Sequence, residues 1–467
     1  MGNTRKIKSS SLAGTVTRLL KIPQIAFLIL GLLFGIIMLT VNPPGRTADE
    51  SLHFIKAYGI SRGHVLPEWK DKKAGTYFPR SFLDLMVKTG ANETGSKLEV
   101  EDITSSFKIP LKEPVKVFAS YGYTGIIAYP PVPYIPSAIA IAVGRLFHLT
   151  PIVLLYAGRL CNLLAWLALV YLAISITPVL KWTFFLLALM PMTMNEAASL
   201  AADSITIGLS FLAIAFFFKL SMDQSKQSIE RKDIYILLVL AAVLAFAKPP
   251  YYLLVFLFVL IPVRKFKSKK EYLVVFAIML LLVSFIVIPW NMALGETMTG
   301  RLPTISPGDQ LQYVATHPLS FFKVLITTID NYKEEWIAEF TGKLGWLEVA
   351  LPTWLVYAYL FMLISVAALD KDETKVHAKE KAYSFVVMLS IFLCILAINY
   401  LTWTPLRNPT IEGFQSRYFI PIAPLLFLLL YNQKIRYAKS RYFYVFLFAF
   451  TTLAFTIAML RITSFYF

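Results

Sequence analysis

Apolar runs long enough to cross a bilayer, separated by short polar links, dominate the chain. They fall at 22–41, about 131–148, 151–177, 182–197, 203–221, 234–248, 250–263, 271–292, 350–369, 382–402, 417–431 and 441–463. A spanning helix needs roughly 20 predominantly apolar residues. Helices are the predicted element, because hydrocarbon offers the backbone no hydrogen-bond partner. The period-two alternation of a membrane barrel is absent. The first run, Ile22 to Val41, is too long for a signal-peptide core and lacks a small-residue cleavage site. It reads as a retained first span.

Charge decides how many runs cross. The N-terminal Arg5, Lys6, Lys8, Arg18 and Lys21 predict a cytoplasmic start. Twelve crossings would then put Arg264, Lys265, Lys267, Lys269, Lys270, Lys434, Arg436, Lys439 and Arg441 outside, against the positive-inside rule. Those basic residues regain the cytoplasm if 131–148 does not cross. It opens with Tyr129-Pro130-Pro131-Val132-Pro133-Tyr134 and carries Gly144 and Arg145, which suits an interfacial or re-entrant helix. The expected fold is therefore an all-α integral membrane protein with about eleven transmembrane helices, within a range of roughly 10–13, and its C-terminus outside. The predicted order is a cytoplasmic N-terminus (1–21), a first span (22–42), a first extracytoplasmic loop with interfacial helices (43–150), spans two to seven (151–292), a second large outer loop (293–349) and spans eight to eleven (350–467).

Composition agrees. Of 467 residues 57% are hydrophobic and 16% charged, against about 25% charged in soluble domains. The net charge of +17 does not indicate nucleic acid, because the Lys and Arg residues cluster in short loops between apolar runs. Cys161 and Cys394 both sit inside apolar runs, without disulfide or metal-ligand spacing. The cytoplasmic loops leave no room for a soluble catalytic domain and hold no nucleotide-binding glycine loop. Chemistry is expected at the outer membrane–water boundary or within the membrane.

Candidate chemistry concentrates there. Thr47-Ala48-Asp49-Glu50-Ser51-Leu52-His53 follows the first span. If Asp49 or Glu50 begins a helix, His53 three or four residues on falls on the same face, fit for a general base or a divalent metal, or simply for helix capping. Glu196 and Asp203 bracket a short loop of small residues, where acids at membrane depth are costly and often functional; capping of the next span is the plainer reading. Lys248, in Lys248-Pro249-Pro250-Tyr251-Tyr252, either anchors a lipid phosphate or snorkels to headgroups. Lys343, Trp346 and Glu348, and further on Gln415, Arg417 and Tyr418, sit in glycine- and aromatic-bearing loops of the kind that pack on a headgroup, though interface aromatics are common.

Together these strings resemble the bacterial membrane family known as domain of unknown function 2142. The marks are Ala48-Asp49-Glu50 with His53, Ala57-Tyr58, Gly63-His64 and Leu66-Pro67, then Tyr129-Pro130-Pro131 with Tyr134-Ile135-Pro136. Gly158-Arg159-Leu160 with Asn162, Leu189-Met190-Pro191-Met192, Ser199, Asp203-Ser204, Ala247-Lys248-Pro249, Gly342 to Pro352 and Gln415 to Pro421 continue it over about 40–430. That family is similar to the GT-C superfamily of polytopic glycosyltransferases that use polyprenyl-phosphate sugars at the outer face.

The resemblance implies a first-loop acidic motif, matched by Asp49 and Glu50, and a second acid before span four, matched by Asp203. The expected function is glycosyl transfer from a polyprenyl-phosphate-linked sugar to an envelope glycan or lipid acceptor, in the bacterial plasma membrane and among its lipids. Asp49 or Glu50 would be the base, with His53, Glu196 and Asp203 orienting it or holding a divalent metal, magnesium or manganese. Lys248, Arg159 and Arg417 would neutralise the lipid phosphate. Tyr129, Tyr134, Lys343, Trp346, Glu348, Gln415 and Tyr418 would line the substrate pocket. The rival reading is a flippase or transporter of a lipid-linked glycan, which would need a polar pathway through the membrane.

Overall fold

The computed structural model describes residues 19–71, 73–91, 95–118, 124–294, 305–370, 374–432 and 440–467. Arg5, Lys6, Lys8, Arg18, Lys434, Arg436 and Lys439, on which the charge argument draws, lie outside those residues, as does most of the 1–21 segment. The protein is mostly helical. Six helices among the described residues are long and apolar enough to cross a membrane: α1 (Pro23–Val41), α5 (Pro151–Ile176), α8 (Ala202–Met222), α10 (Lys269–Ala293), α14 (Ala378–Thr402) and α16 (Arg441–Tyr466).

Helix α8 is central, with 83% of its apolar window buried, whereas α10 is peripheral at 17%. That difference follows from sequence, since α8 is apolar all round and carries its small polar residues inward. Helices α1 and α5 approach closely along Gly31 and Gly35, one turn apart. A Cβ at Gly35 would lie 2.6 Å from Leu163, and one at Gly31 would lie 2.8 Å from Leu167. Small residues at four-residue spacing are how membrane helices come into backbone contact.

The other five expected spans are not full-length helices. Arg231–Ala245 (α9) and Thr353–Leu369 (α13) are continuous but short, at 15 and 17 residues. The remaining three runs are broken. The 182–197 run splits into α6 (Lys181–Leu189) and α7 (Pro191–Ala197), because Met190 is held extended before Pro191. The 250–263 run is a 3₁₀ helix, Tyr251–Leu260. The 417–431 run is a 3₁₀ stretch, Ser416–Ile422, containing Pro421, followed by the five-residue α15 (Ala423–Phe427). Proline removes a backbone donor and ends regular helix. Irregular backbone at membrane depth is tolerated where protein surrounds it, and α6, α7, Leu254, Leu257, Ile420 and Ile422 are buried.

The first loop is not helical throughout. After α2 (Glu50–Ser61) come β1 (Glu68–Lys70), β2 (Lys73–Pro79), α3 (Ser81–Lys88) and β3 (Pro114–Phe118). The strands form an antiparallel sheet in the order β1-β2-β3, with Trp69 opposite Ala74 and Phe78 opposite Val115. A second core of Phe54, Tyr58, Phe78, Phe82, Tyr134, Ile141 and Leu155 joins this loop to α4 (Ile135–Leu146) and α5. Twelve residues of α4 extend only about 18 Å, short of the roughly 30 Å of hydrocarbon. Its outer face exposes Ile139, Val143 and Leu146. The second loop contains α11 (Pro307–Thr316), α12 (Pro318–Gly342) and a hairpin of β4 (Lys343–Leu344) and β5 (Val349–Ala350).

Lys56 on α2 is buried and donates from Nζ to the Val65 carbonyl at 2.9 Å. Burial lowers its pKa from 10.5 to about 7. Between those values the unfolded chain holds a proton that the native loop does not. Stability is therefore expected to rise with pH through that window. Lys56→Met should raise the melting temperature by a few degrees at pH 7 and flatten its pH dependence between pH 7 and 10, measured by thermal unfolding in detergent.

Candidate functional site

The first polar turn is built on a closed ion pair. Helix α1 stops at Asn42-Pro43-Pro44, and Gly45 takes a positive φ of 75°. Glu50 folds back beneath this turn, fully buried. It accepts hydrogen bonds from Gly45 N at 2.9 Å, Leu200 N at 3.2 Å and Arg159 Nε at 2.7 Å, as well as from Arg159 Nη2. Arg159 gives its other hydrogens to the carbonyls of Leu39, Asn42 and Pro43, at 2.7–3.0 Å. A guanidinium has five donors, and all five are used.

This arrangement separates two residues that the sequence placed together. Glu50 has no access to an acceptor, and Arg159 has no hydrogen left for a phosphate, so neither fits the expected role of base or phosphate ligand. Their geometry is that of a lock joining α5 to the first loop.

Asp49 faces the other way. It begins α2 in the left-handed conformation, φ 62°, and its carboxylate makes no capping bond. Asp is one of the few non-glycine residues that adopts this conformation readily, and such positions cluster at functional sites. The turn aims Asp49 at Arg417 on the Ser416–Ile422 segment, with Oδ2 3.4 Å from Nη2. Capping does not explain this acid.

Arg417 gathers the rest. Its Nη1 donates to Glu196 Oε1 at 2.9 Å and lies 3.9 Å from Asp203 Oδ2, while Nε donates to Gln415 Oε1 at 2.7 Å. Lys248 Nζ donates to Asp203 Oδ1 at 2.8 Å and sits 3.9 Å from the centre of the Tyr418 ring and 5.6 Å from that of Tyr129. Glu196, Asp203 and Arg417 are at most 2% exposed, whereas the Asp49 side chain is 23% exposed. Thus Asp49, Glu196, Asp203, Lys248 and Arg417, from four distant segments, meet at one end of the helical bundle. Two cations face three carboxylates.

Beside them, His53 Nδ1 is 2.8 Å from the Tyr134 hydroxyl. Burial, partly opposed by Asp203, lowers the His53 pKa to about 3, so the imidazole is neutral at ordinary pH. Burial likewise pushes the Tyr129 phenol up to about 12, keeping it protonated.

Other expected pocket residues lie apart. Lys343 pairs with Glu335 at 2.6 Å. Glu348 accepts from Tyr466 Oη at 2.8 Å and Gly95 N at 3.2 Å. Trp346 Nε1 donates to the Gly45 carbonyl at 3.0 Å, supporting the acidic turn from behind. Two residues outside the expected set belong here. Asn42 Nδ2 donates to Thr47 Oγ1 at 2.8 Å and to Asn195 Oδ1 at 3.2 Å, tying the first turn to α7. A polar amide directly after an apolar run was the only sequence signal for Asn42.

Among the described residues no group of three His, Cys, Asp or Glu side chains is arranged to hold a divalent metal. Each carboxylate of the cluster already faces Arg417 or Lys248, and a divalent ion would be set against both positive charges.

An apolar groove of about 480 Å³ adjoins the Arg417 segment. Trp336, Phe340, Phe392, Phe414 and Phe419 line it, with Ser416 among its few polar residues. Ile364 and Leu430 at its margin are exposed, so it opens onto the apolar surface.

A family model described as "Predicted membrane protein (DUF2142)" matches residues 32–426. The chain belongs to the DUF2142 family. The matched DUF2142 region runs from within α1 into α15 and so includes every residue of the charged cluster. No curated protein and no solved structure matches the chain.

The two acids should separate by stability. Glu50→Ala leaves Arg159 buried and uncompensated, at an expected cost of about 3–5 kcal/mol. Asp49→Asn removes only a long, partly exposed contact, at an expected cost of about 1 kcal/mol or less. Thermal unfolding in detergent, with yield of monodisperse protein, reads the difference.

Proposed function

We propose that this protein is a glycosyltransferase moving a sugar from a polyprenyl-phosphate donor to an acceptor hydroxyl of a cell-envelope glycan or lipid, on the extracytoplasmic face of the membrane. One observation carries the reading: a charged cluster holding one partly exposed carboxylate lies beside an apolar groove whose margin is exposed. The combination suits a substrate with an anionic head and a long hydrocarbon tail.

In this reading Asp49 is the base. It takes the proton from the acceptor hydroxyl, whose oxygen forms the new bond to the anomeric carbon. The bond from that carbon to the phosphate oxygen breaks, and the lipid phosphate leaves with the electron pair. Arg417 and Lys248 offset the charge on the leaving group, where fixed cations act most strongly because water is excluded. Asp203 positions Lys248, Glu196 positions Arg417, and the buried neutral pair His53–Tyr134 packs beside them without adding charge. The groove over Trp336, Phe414 and Phe419 takes the first isoprene units.

The test is transfer from a short-chain polyprenyl-phosphate sugar by purified protein in nanodiscs, using envelope extracts as the acceptor source. Asp49→Asn should lower turnover by about 10²–10⁴-fold, the usual contribution of a positioned base, without loss of folded protein. Lipid movement between leaflets with no sugar transferred would overturn the reading in favour of a flippase.

The pH profile offers a second check. Burial raises the Asp49 pKa, with Arg417 and Lys248 opposing and Asp203 reinforcing the rise. The reactive form is the deprotonated one, so turnover should fall as pH drops, with a midpoint above the ordinary Asp value of about 3.9. A midpoint at or below that value would argue against Asp49 as the base.

A further inference from the structure

The charges in the cluster pose a problem for any anionic ligand. Asp203 already holds Lys248 at 2.8 Å and Glu196 already holds Arg417 at 2.9 Å, both pairs buried. With Asp49 included, three negative charges face two positive ones before a phosphate arrives. A phosphate added to this set is repelled unless one carboxylate gives way.

The geometry singles out which one. Charge-assisted N–H···O contacts normally span about 2.7–2.9 Å. Glu196 and Asp203 make such contacts on their cations, while Asp49 reaches Arg417 only at 3.4 Å. Glu196 and Asp203 are 1–2% exposed and Asp49 is 23% exposed. Asp203, 3.9 Å from Arg417, has its own close cation in Lys248, so of the three carboxylates Asp49 has the longest nearest ion pair and the most exposed side chain. Nε and Nη1 are fixed by Gln415 and Glu196, so the guanidinium stays in place when Asp49 leaves. A fork of N–H donors on a fixed guanidinium is the usual receptor for phosphate oxygens.

We infer that Asp49 is the resident counter-ion of the phosphate site, and that the lipid phosphate displaces it from Arg417. This rests on the function proposed above and adds an order of events to it. Without donor, Asp49 is held against a guanidinium and is a poor base. With donor bound, Asp49 loses that partner and gains a negative neighbour. Both changes raise the proton affinity of its carboxylate. The base becomes competent when the leaving group is seated, so the donor must bind before the acceptor can be deprotonated.

The consequence runs against the ordinary expectation for an active-site residue, since removing the Asp49 charge should improve donor binding. The experiment is equilibrium binding of farnesyl phosphate to the full chain in nanodiscs of neutral lipid. Asp49→Asn should bind roughly five- to tenfold more tightly than wild type, the scale of losing one nearby like charge in a partly screened site. Asp49→Ser, which lacks both charge and carboxylate shape, should tighten binding to a similar degree. Asp309→Asn, an exposed acid in the second loop, controls for net charge and should leave affinity unchanged. Unchanged or weaker binding in both Asp49 variants, with Arg417→Ala still reducing affinity, overturns the displacement while leaving the phosphate site standing. No binding to wild type, or binding indifferent to Arg417→Ala, overturns the phosphate site and with it the function proposed above.

Discussion

A carboxylate and a guanidinium taken out of water together, Glu50 and Arg159, govern the rest of the architecture. Burying two charges costs several kcal/mol for each ion unless every lone pair and hydrogen finds a partner. Here each does: Glu50 accepts from two backbone amides, and Arg159 caps the carbonyls that end α1. One ion pair thereby terminates the first helix and fixes the turn that follows. It also brings in the Leu200 amide from the loop before α8. Because Glu50 points inward at that turn, its neighbour Asp49 points outward. The direction of the candidate base is a by-product of the lock.

The outward acid meets a segment that could not have been a regular helix. Arg417 sits in a 3₁₀ stretch interrupted by Pro421, and Lys248 precedes the Pro249-Pro250 turn. Half-length, proline-broken elements inside a membrane bundle deliver polar side chains and free backbone groups to one depth, as in many membrane transport sites. Glu196 in the last turn of α7 and Asp203 in the first turn of α8 complete the set. Irregular elements supply Lys248 and Arg417, and the first turn of the long helix α8 supplies Asp203.

Much of this was legible in the sequence, for physical reasons. Membrane residence was plain from run length. That Asp49, Glu196, Asp203, Lys248 and Arg417 are neighbours followed from putting their loops on one side by charge, and the fold unites them. The sheet in the first loop was not legible, because strands of three to seven residues carry little periodicity. The broken runs at 182–197, 250–263 and 417–431 have the hydropathy of spans, and hydropathy does not register whether a proline is buried in protein or facing lipid. Least visible was the division of labour between Asp49 and Glu50. Adjacent identical charges are separated only by backbone direction, which here turns on a single left-handed residue.

The groove beside Arg417 carries a kinetic consequence. Its exposed margin at Ile364 and Leu430 is apolar, a surface that lipid covers more favourably than water does. A ligand entering by that route arrives by lateral diffusion within one leaflet, so the quantity that sets occupancy is its mole fraction among surrounding lipids. Diluting the aqueous phase would leave the site equally full, whereas adding inert phospholipid to the same vesicles would empty it.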